Sequence, residues 1–297
     1  MSHDELVGAS VTQVIQRVDG LCCQLKESHD LGWLRAYGQV FAVYDQQDSG
    51  NLCFGVTDGV ERRFIKYAGA RTVAYVGDPQ EAVLRLRHAI PVYQELAHPV
   101  LVRLSEYGER GAGYAGVFEW AVGECLHAHW SFDRYPKYQH SRSPNVRFRQ
   151  LPLADRLACL EAILSFHLVV ATRGYVAIDF YDGSIMYDFV ARRTTICDID
   201  LYARRPYVNQ MGRLWGSSRF MSPEEHEVGA SIDEVTNVYT MGATAFELLG
   251  DNRDRSLAAW LAPEALWHVA RRAVSTERHR RQQSIAALYD EWHSALT

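Results

Sequence analysis

β-rich runs occupy the first part of this chain and helical runs the second, and that order excludes most architectures. Gly38–Tyr44, Leu52–Val56 and Arg63–Lys66 are short β-prone segments separated by turn residues at Asp48-Ser-Gly-Asn51 and Thr57-Asp-Gly59, which predicts an antiparallel meander. Val100–Leu104 and Ala115–Trp120 predict two further strands. Asp78-Pro79 opens a helix, with Asp as cap and Pro at the first position, whose stripe runs from Val83 to Leu96; Pro91 is expected to kink or split it. From Leu153 onward the pattern turns helical, with a largely buried helix through Val170 and three more at Val235–Leu249, Ala258–Ala273 and Ser284–Leu296. The boundary falls near Gly123. The expectation is an α+β fold in two lobes, with a cleft between them.

Residues 9–26 place Val11, Val14, Ile15, Val18, Leu21 and Leu25 at roughly helical spacing, predicting a leading amphipathic helix within a helical extension over residues 1–30. Residues 127–150 are rich in Tyr, Arg, Ser, Pro and His with little periodicity and read as a long loop or insertion. His127 and His129 could suggest a metal, but histidines at i,i+2 without a third ligand read as loop residues. The remaining partition is residues 31–122 and 123–297.

Composition narrows the function classes. The formal charge is −5 with both signs mixed along the chain, so electrostatics gives no reason to expect nucleic acid. Six cysteines are scattered without a repeat, including the vicinal Cys22-Cys23. They read as buried thiols of a reducing compartment, hence a cytoplasmic expectation. No apolar run approaches the length of a membrane span and the first residues carry no leader pattern, so neither membrane nor export is expected.

The chemistry concentrates between Gly174 and Asp200. Tyr175–Ile178 and Ile185–Phe189 flank Asp182-Gly183, a hairpin or tight-loop signal, and Thr194–Cys197 then leads to Asp198. Asp179 leaves one strand and Asp198 ends another, nineteen residues later. Two carboxylates at loop tips suit phosphoryl transfer: one orients the attacking hydroxyl and takes its proton, the other holds Mg²⁺ against a triphosphate. Surface acids at strand ends have the same appearance, so this stretch does not decide the matter alone.

Taken in order, the segments resemble the protein kinase superfamily over roughly residues 30–292, most nearly a divergent bacterial member of the eukaryotic-like Ser/Thr kinases. Gly38-Gln-Val40 resembles the end of a glycine-rich loop, although Trp33 and Arg35 stand where earlier glycines belong. Phe64-Ile-Lys66 resembles the strand with the phosphate-contacting lysine, Glu95–Val102 the segment after the C-helix, and Phe118–Glu124 the adenine-binding hinge. Ala177-Ile-Asp179 and Asp198-Ile-Asp200 take the places of His-Arg-Asp and Asp-Phe-Gly. The more specific matches are Gly216–Glu224, ending in Ser222-Pro-Glu224 for Ala-Pro-Glu, Asn237–Gly242 for Asp-Val-Trp-Ser-x-Gly, and Arg281–Ile285, whose arginine is expected to pair with Glu224.

The resemblance implies a bilobal fold, with an antiparallel-sheet N-lobe and a mainly helical C-lobe, that binds ATP and Mg²⁺. Asp179 would be the catalytic acid-base residue, and Lys66 the contact to the phosphates. Asp198 and Ser184, the latter replacing the usual asparagine, would hold the metal. Gly38 and Val40 would border the nucleotide, the Phe118, Glu119 and Ala121 region would hold adenine, and Glu81 would be the nearest acid able to pair with Lys66, since Ala89 occupies the usual glutamate position. Asp182 could compensate for Ser184. Tyr181 stands where many Ser/Thr kinases have lysine, and Ile178 removes the arginine that senses a phosphorylated activation loop. The acceptor would be a protein or small-molecule hydroxyl; a pseudokinase and a small-molecule kinase are the alternatives.

Overall fold

The computed structural model describes residues 13–127 and 136–296. These form two compact units: the described residues up to Ile90 together with Arg103–Trp120, and Pro91–Val102 together with those from Ala121 on. The fold is α+β with antiparallel sheets.

The first unit begins with a hairpin, β1 (Val14–Val18) and β2 (Leu21–Leu25), where a helix was expected. Val14, Gln16, Val18 and Leu21, Cys23, Leu25 satisfy a period of two as readily as one of 3.6. The deciding element is Asp19-Gly20, a two-residue loop in which both residues have positive φ (48° and 85°), the backbone of a tight hairpin turn. Residues 9–12 of the expected helix lie outside the described residues. A 3₁₀ helix over Gly32–Tyr37 follows, and then β3 (Gln39–Tyr44), β4 (Asn51–Thr57) and β5 (Arg62–Ala68). Helix α1 (Pro79–Glu95) is capped by the Asp78 carboxylate, which accepts from Gln80 N–H at 2.9 Å. Pro91 does not split it; the division between the two units falls at that residue. Strands β6 (Leu104–Arg110) and β7 (Gly113–Glu119) complete a five-stranded antiparallel sheet in the order β3-β4-β5-β7-β6.

Both faces of this sheet are covered. On one, Leu52, Phe54, Ile65 and Tyr67 pack with Cys23 and Leu25 of the hairpin and Leu34 of the 3₁₀ helix. On the other, Ala68 and Tyr114 pack against Ala82, Val83, Leu86 and Ile90 of α1. Burial of these side chains, about 1.5–3 kcal/mol each for the larger ones, fixes which residues of β5 face which way.

The second unit is mostly helical. It contains β8 (Glu124–Cys125), α2 (Pro144–Arg149), α3 (Leu153–Thr172), β9 (Tyr175–Val176), β10 (Ile185–Asp188), β11 (Arg193–Ile196), β12 (Ala203–Arg204), β13 (Tyr207–Val208), β14 (Ser231–Ile232), α4 (Glu234–Leu249), α5 (Glu264–Ala273) and α6 (Ile285–Ser294). The region expected as an unstructured insertion thus includes α2, which buries Phe148; His129 lies outside the described residues. Helix α5 starts at Glu264, not near Ala258, because Pro263 can precede a first helical turn but not continue a helix into it. The hairpin signal at Asp182-Gly183 marks a 3₁₀ turn: β9 pairs with β12, and β10 with β11 and β8. All six cysteines are free thiols; Cys23, Cys53 and Cys159 are buried, Cys125 and Cys197 half-buried and Cys22 exposed. Among the described residues no helix is long and apolar enough to cross a membrane.

Candidate functional site

In the first unit Lys66 lies on β5, only 6% exposed, between Cys53 on β4 and Gly116 on β7. Cys53 in turn pairs with Tyr44, the last residue of β3. Lys66 therefore stands toward the end of these strands that carries the β3–β4 connection, residues 45–50. Gly38 lies at the other end of these strands, before Gln39, which pairs with Thr57, itself opposite Arg62. Four residues of strand, about 13 Å, separate Arg62 from Lys66. Val40 packs in the core on the opposite face from Lys66 and donates its N–H to Asp19 Oδ2 at 2.7 Å. Neither Gly38 nor Val40 is placed as a phosphate-loop residue. Gly38 is glycine for another reason: its φ is 106°, and a Cβ there would stand 2.2 Å from Thr57 O. The 45–50 connection carries only the ordinary signal of a turn in the sequence.

Glu81 is exposed on the first turn of α1 and accepts from Tyr75 OH at 3.2 Å. It is not among the residues that α1 presses onto the sheet, which begin at Ala82, so the expected approach to Lys66 is not supported. Phe118 is buried, opposite Phe64 and on the same face as Lys66. Glu119 donates its N–H to Arg103 O at 2.9 Å, and its carboxylate pairs with Arg103. Further along the Lys66 face three aromatic rings gather: Phe41 and Trp120 at 4.9 Å, Phe64 and Trp120 at 6.5 Å. Gly55 leaves room for them, since a Cβ would meet Phe41 at 2.8 Å and Trp120 at 3.0 Å.

The second unit holds Ala121 and both predicted acids. Asp179 (φ 66°) and Asp198 (φ 58°) both adopt the left-handed conformation, a cost of order 1–3 kcal/mol that surrounding structure must sustain. They share neighbours. Burial raises the Tyr181 and Tyr202 hydroxyls well above the usual range, and both acids push each further up. Tyr202 is oriented by buried His167, whose Nδ1 lies 2.8 Å from Ile163 O and must donate, leaving Nε2 to accept from Tyr202 OH at 2.9 Å. Burial lowers that imidazole to about 4, despite the Ile163 hydrogen bond, so it is neutral at pH 7.

The loop before Asp179 is clamped from α4. Asn237 Oδ1 accepts from Ala177 N–H and its Nδ2 donates to Ala177 O, both at 2.8 Å. An amide supplies both roles, which a carboxylate cannot. On the other side, Ser184 O accepts from Cys197 N–H at 2.8 Å, which sets Ser184, only 1% exposed, beside the residue preceding Asp198. Tyr93 OH donates to Asp200 Oδ1 at 2.8 Å and accepts from Ile199 N–H at 3.1 Å. Asp179 borders a shallow recess with Trp215, Gly216, Ser217, Phe220 and Met221.

Asp182 does not compensate for Ser184. It is fully buried, and its oxygens are taken by His127 Nδ1 (3.0 Å), Arg219 Nη2 (3.1 Å) and Lys137. Burial would raise its pKa, but the His127 hydrogen bond and the Lys137 and Arg219 charges hold it well below the carboxylate range. Arg219 also bonds Glu247 at 2.8 Å. This cluster, drawn from four distant segments, had no local signature; His127 had read as a loop residue.

The expected pair of Glu224 and Arg281 is present. Arg281, fully buried, bonds both carboxylate oxygens at 2.6 and 3.0 Å. Its neighbour Glu225 caps the turn after Ser222, accepting from Ser222 N–H at 2.7 Å and Oγ at 2.9 Å. Burial pushes Glu225 up to about 7 from 4.5. The folded chain thus holds this proton more tightly than the unfolded one. Its contribution is complete below about pH 4.5 and is lost as pH rises through about 7, on the order of 3 kcal/mol. Melting temperatures from pH 5 to 8 should fall more steeply for the native chain than for Glu225→Gln; parallel curves would refute the assignment.

No family model matches the chain. It is 25% identical over 172 residues to "Serine/threonine-protein kinase pkn2" of Myxococcus xanthus, a stretch covering 56% of this chain and 19% of that protein. The match thus spans about a fifth of that relative's length. This is a distant likeness to a Ser/Thr kinase.

Proposed function

We propose that the chain is an ATP-dependent phosphotransferase of the protein-kinase-like superfamily, passing the γ-phosphate to a Ser/Thr-type hydroxyl. The observation that carries this reading is the pair of left-handed acids, Asp179 and Asp198, with common neighbours and separate braces at Ala177 and Ser184. Asp179 accepts the proton of the attacking hydroxyl. Lys66 supplies a point charge for the phosphates, and the 45–50 connection takes the place expected of Gly38 and Val40. The hinge roles of Phe118, Glu119 and Ala121 belong to the same proposal.

Asp198 and Ser184 would hold Mg²⁺, offering the oxygen donors it prefers. Among the described residues no group of three or more His, Cys, Asp or Glu side chains forms a metal cage, which fits an ion held largely by its nucleotide. That ion would neutralise charge on the transferring phosphoryl group.

A second reading, a nucleotide-binding pseudokinase, is favoured by one observation: Phe41, Phe64 and Trp120 crowd the sheet face beside Lys66, where a smaller lining would leave more room for a base. Incubation with γ-labelled ATP and Mg²⁺ or Mn²⁺ separates the two. The first predicts label transfer by the native chain and its loss in Asp179→Ala. Equal labelling by both would sink it. Absent labelling with a nucleotide-dependent rise in melting temperature would establish the second.

A further inference from the structure

Among the described residues of the second unit, the enclosed cations Arg281, Arg219 and Lys137 have carboxylate partners: Arg281 has Glu224, and Arg219 and Lys137 have Asp182 and Glu247. Arg156 is the exception. It stands in the first turn of α3, 6% exposed, and among the described residues no atom accepts from its Nε or Nη1. The charge that acts on it is of its own sign, from Arg149 at the end of α2; burial first and Arg149 second lower its pKa. A guanidinium cannot shed its proton to escape this, and water would satisfy the donors but not the charge.

The neighbouring acids are committed elsewhere. Asp155 bonds Arg192 at 2.9 Å. Asp251 lies 3.9 Å from Arg149 but receives Arg253 through both oxygens, at 3.0 and 2.7 Å. Helix α3 has twenty residues and follows Pro152, which offers no side-chain cap, so the positive end of its dipole adds to the same place.

We propose that Arg156, Arg149 and the start of α3 form an anion site for a tetrahedral oxyanion of the phosphate class. Two guanidiniums and free helix N–H groups offer more directed donors than one carboxylate can use, and suit three or four equivalent oxygens. Free phosphate and a phosphoryl group on a larger molecule share this chemistry.

The full chain is melted with inorganic phosphate, and separately with O-phosphoserine, each against sodium chloride at matched ionic strength and with EDTA present. At about a hundredfold excess over Kd the rise expected is roughly 5 °C. Arg156→Leu loses that rise and, without phosphate, melts no lower than the native chain. Arg149→Gln weakens the response, while Lys66→Met retains it, which separates this site from the nucleotide site proposed above. A response to inorganic phosphate alone identifies a free ion, and a response to both a phosphoryl group. Retention of the rise in Arg156→Leu, or a native chain that distinguishes neither ligand from chloride, overturns the proposal. Should Arg156→Leu not fold, ³¹P line broadening of inorganic phosphate by the native chain, diminished in Arg149→Gln, decides it.

Discussion

Asp198→Ala is expected to reduce phosphate transfer by at least about 10³-fold, the scale on which a preorganised charge acts on a phosphoryl transition state. The native chain should melt higher with Mg²⁺-ATP than with ATP alone, and in this variant the two values should coincide. Asp179→Ala should instead keep the metal-dependent increment while losing transfer by about 10²–10⁴-fold, the range of a general base. The contrast tests the roles individually. Each acid holds a left-handed conformation that alanine tolerates no better, so neither variant gains stability from relieved strain, and a melting temperature without ligand serves as the control for folding. A metal increment that survives in Asp198→Ala would remove Asp198 from the metal site.

Arg281→Met should lower stability by about 3–5 kcal/mol, because it leaves the buried Glu224 carboxylate without its bidentate partner. For a chain of this size that is a fall of roughly 6–20 °C. Arg278 also reaches Glu224, at 2.6 Å, but its side chain is 35% exposed, and Arg278→Ala should cost only a fraction as much. The double variant Glu224→Met with Arg281→Met should recover most of the loss, since it strands no charge. Melting all variants in one buffer closes the cycle; an Arg281→Met chain within about 1 kcal/mol of native would show that Arg278 alone sustains Glu224.

The features legible beforehand were those written in short segments. Asp78-Pro79 marked the start of α1, and the likeness of Ser222-Pro-Glu224 and Arg281 to kinase motifs implied a contact across fifty-seven residues. The failures have two physical origins. Some stretches satisfy two periods at once: residues 14–25 fit a helix until the positive φ values of Asp19-Gly20 settle the matter. Others depend on register or long-range assembly. Gly38 and Gly50 are equally glycine in the sequence, and only the pairing of Lys66 with Cys53 and of Cys53 with Tyr44 tells which end of the sheet Lys66 occupies. Arg156 reads as one more polar residue on a helix, and nothing local shows that its donors are unmet. Asp182 likewise looked like a turn residue until His127, Lys137 and Arg219 closed around it.

The Asn237 clamp ties the timing of two losses. Ala177 N–H is sealed by a side chain from the first turn of α4, so its exchange with deuterium requires that turn to open rather than the 177–184 loop to fluctuate alone. Asp179 follows two residues later. Proton exchange at Ala177 and displacement of Asp179 are therefore one opening event, and the 177–184 loop is as durable as the helix end that grips it.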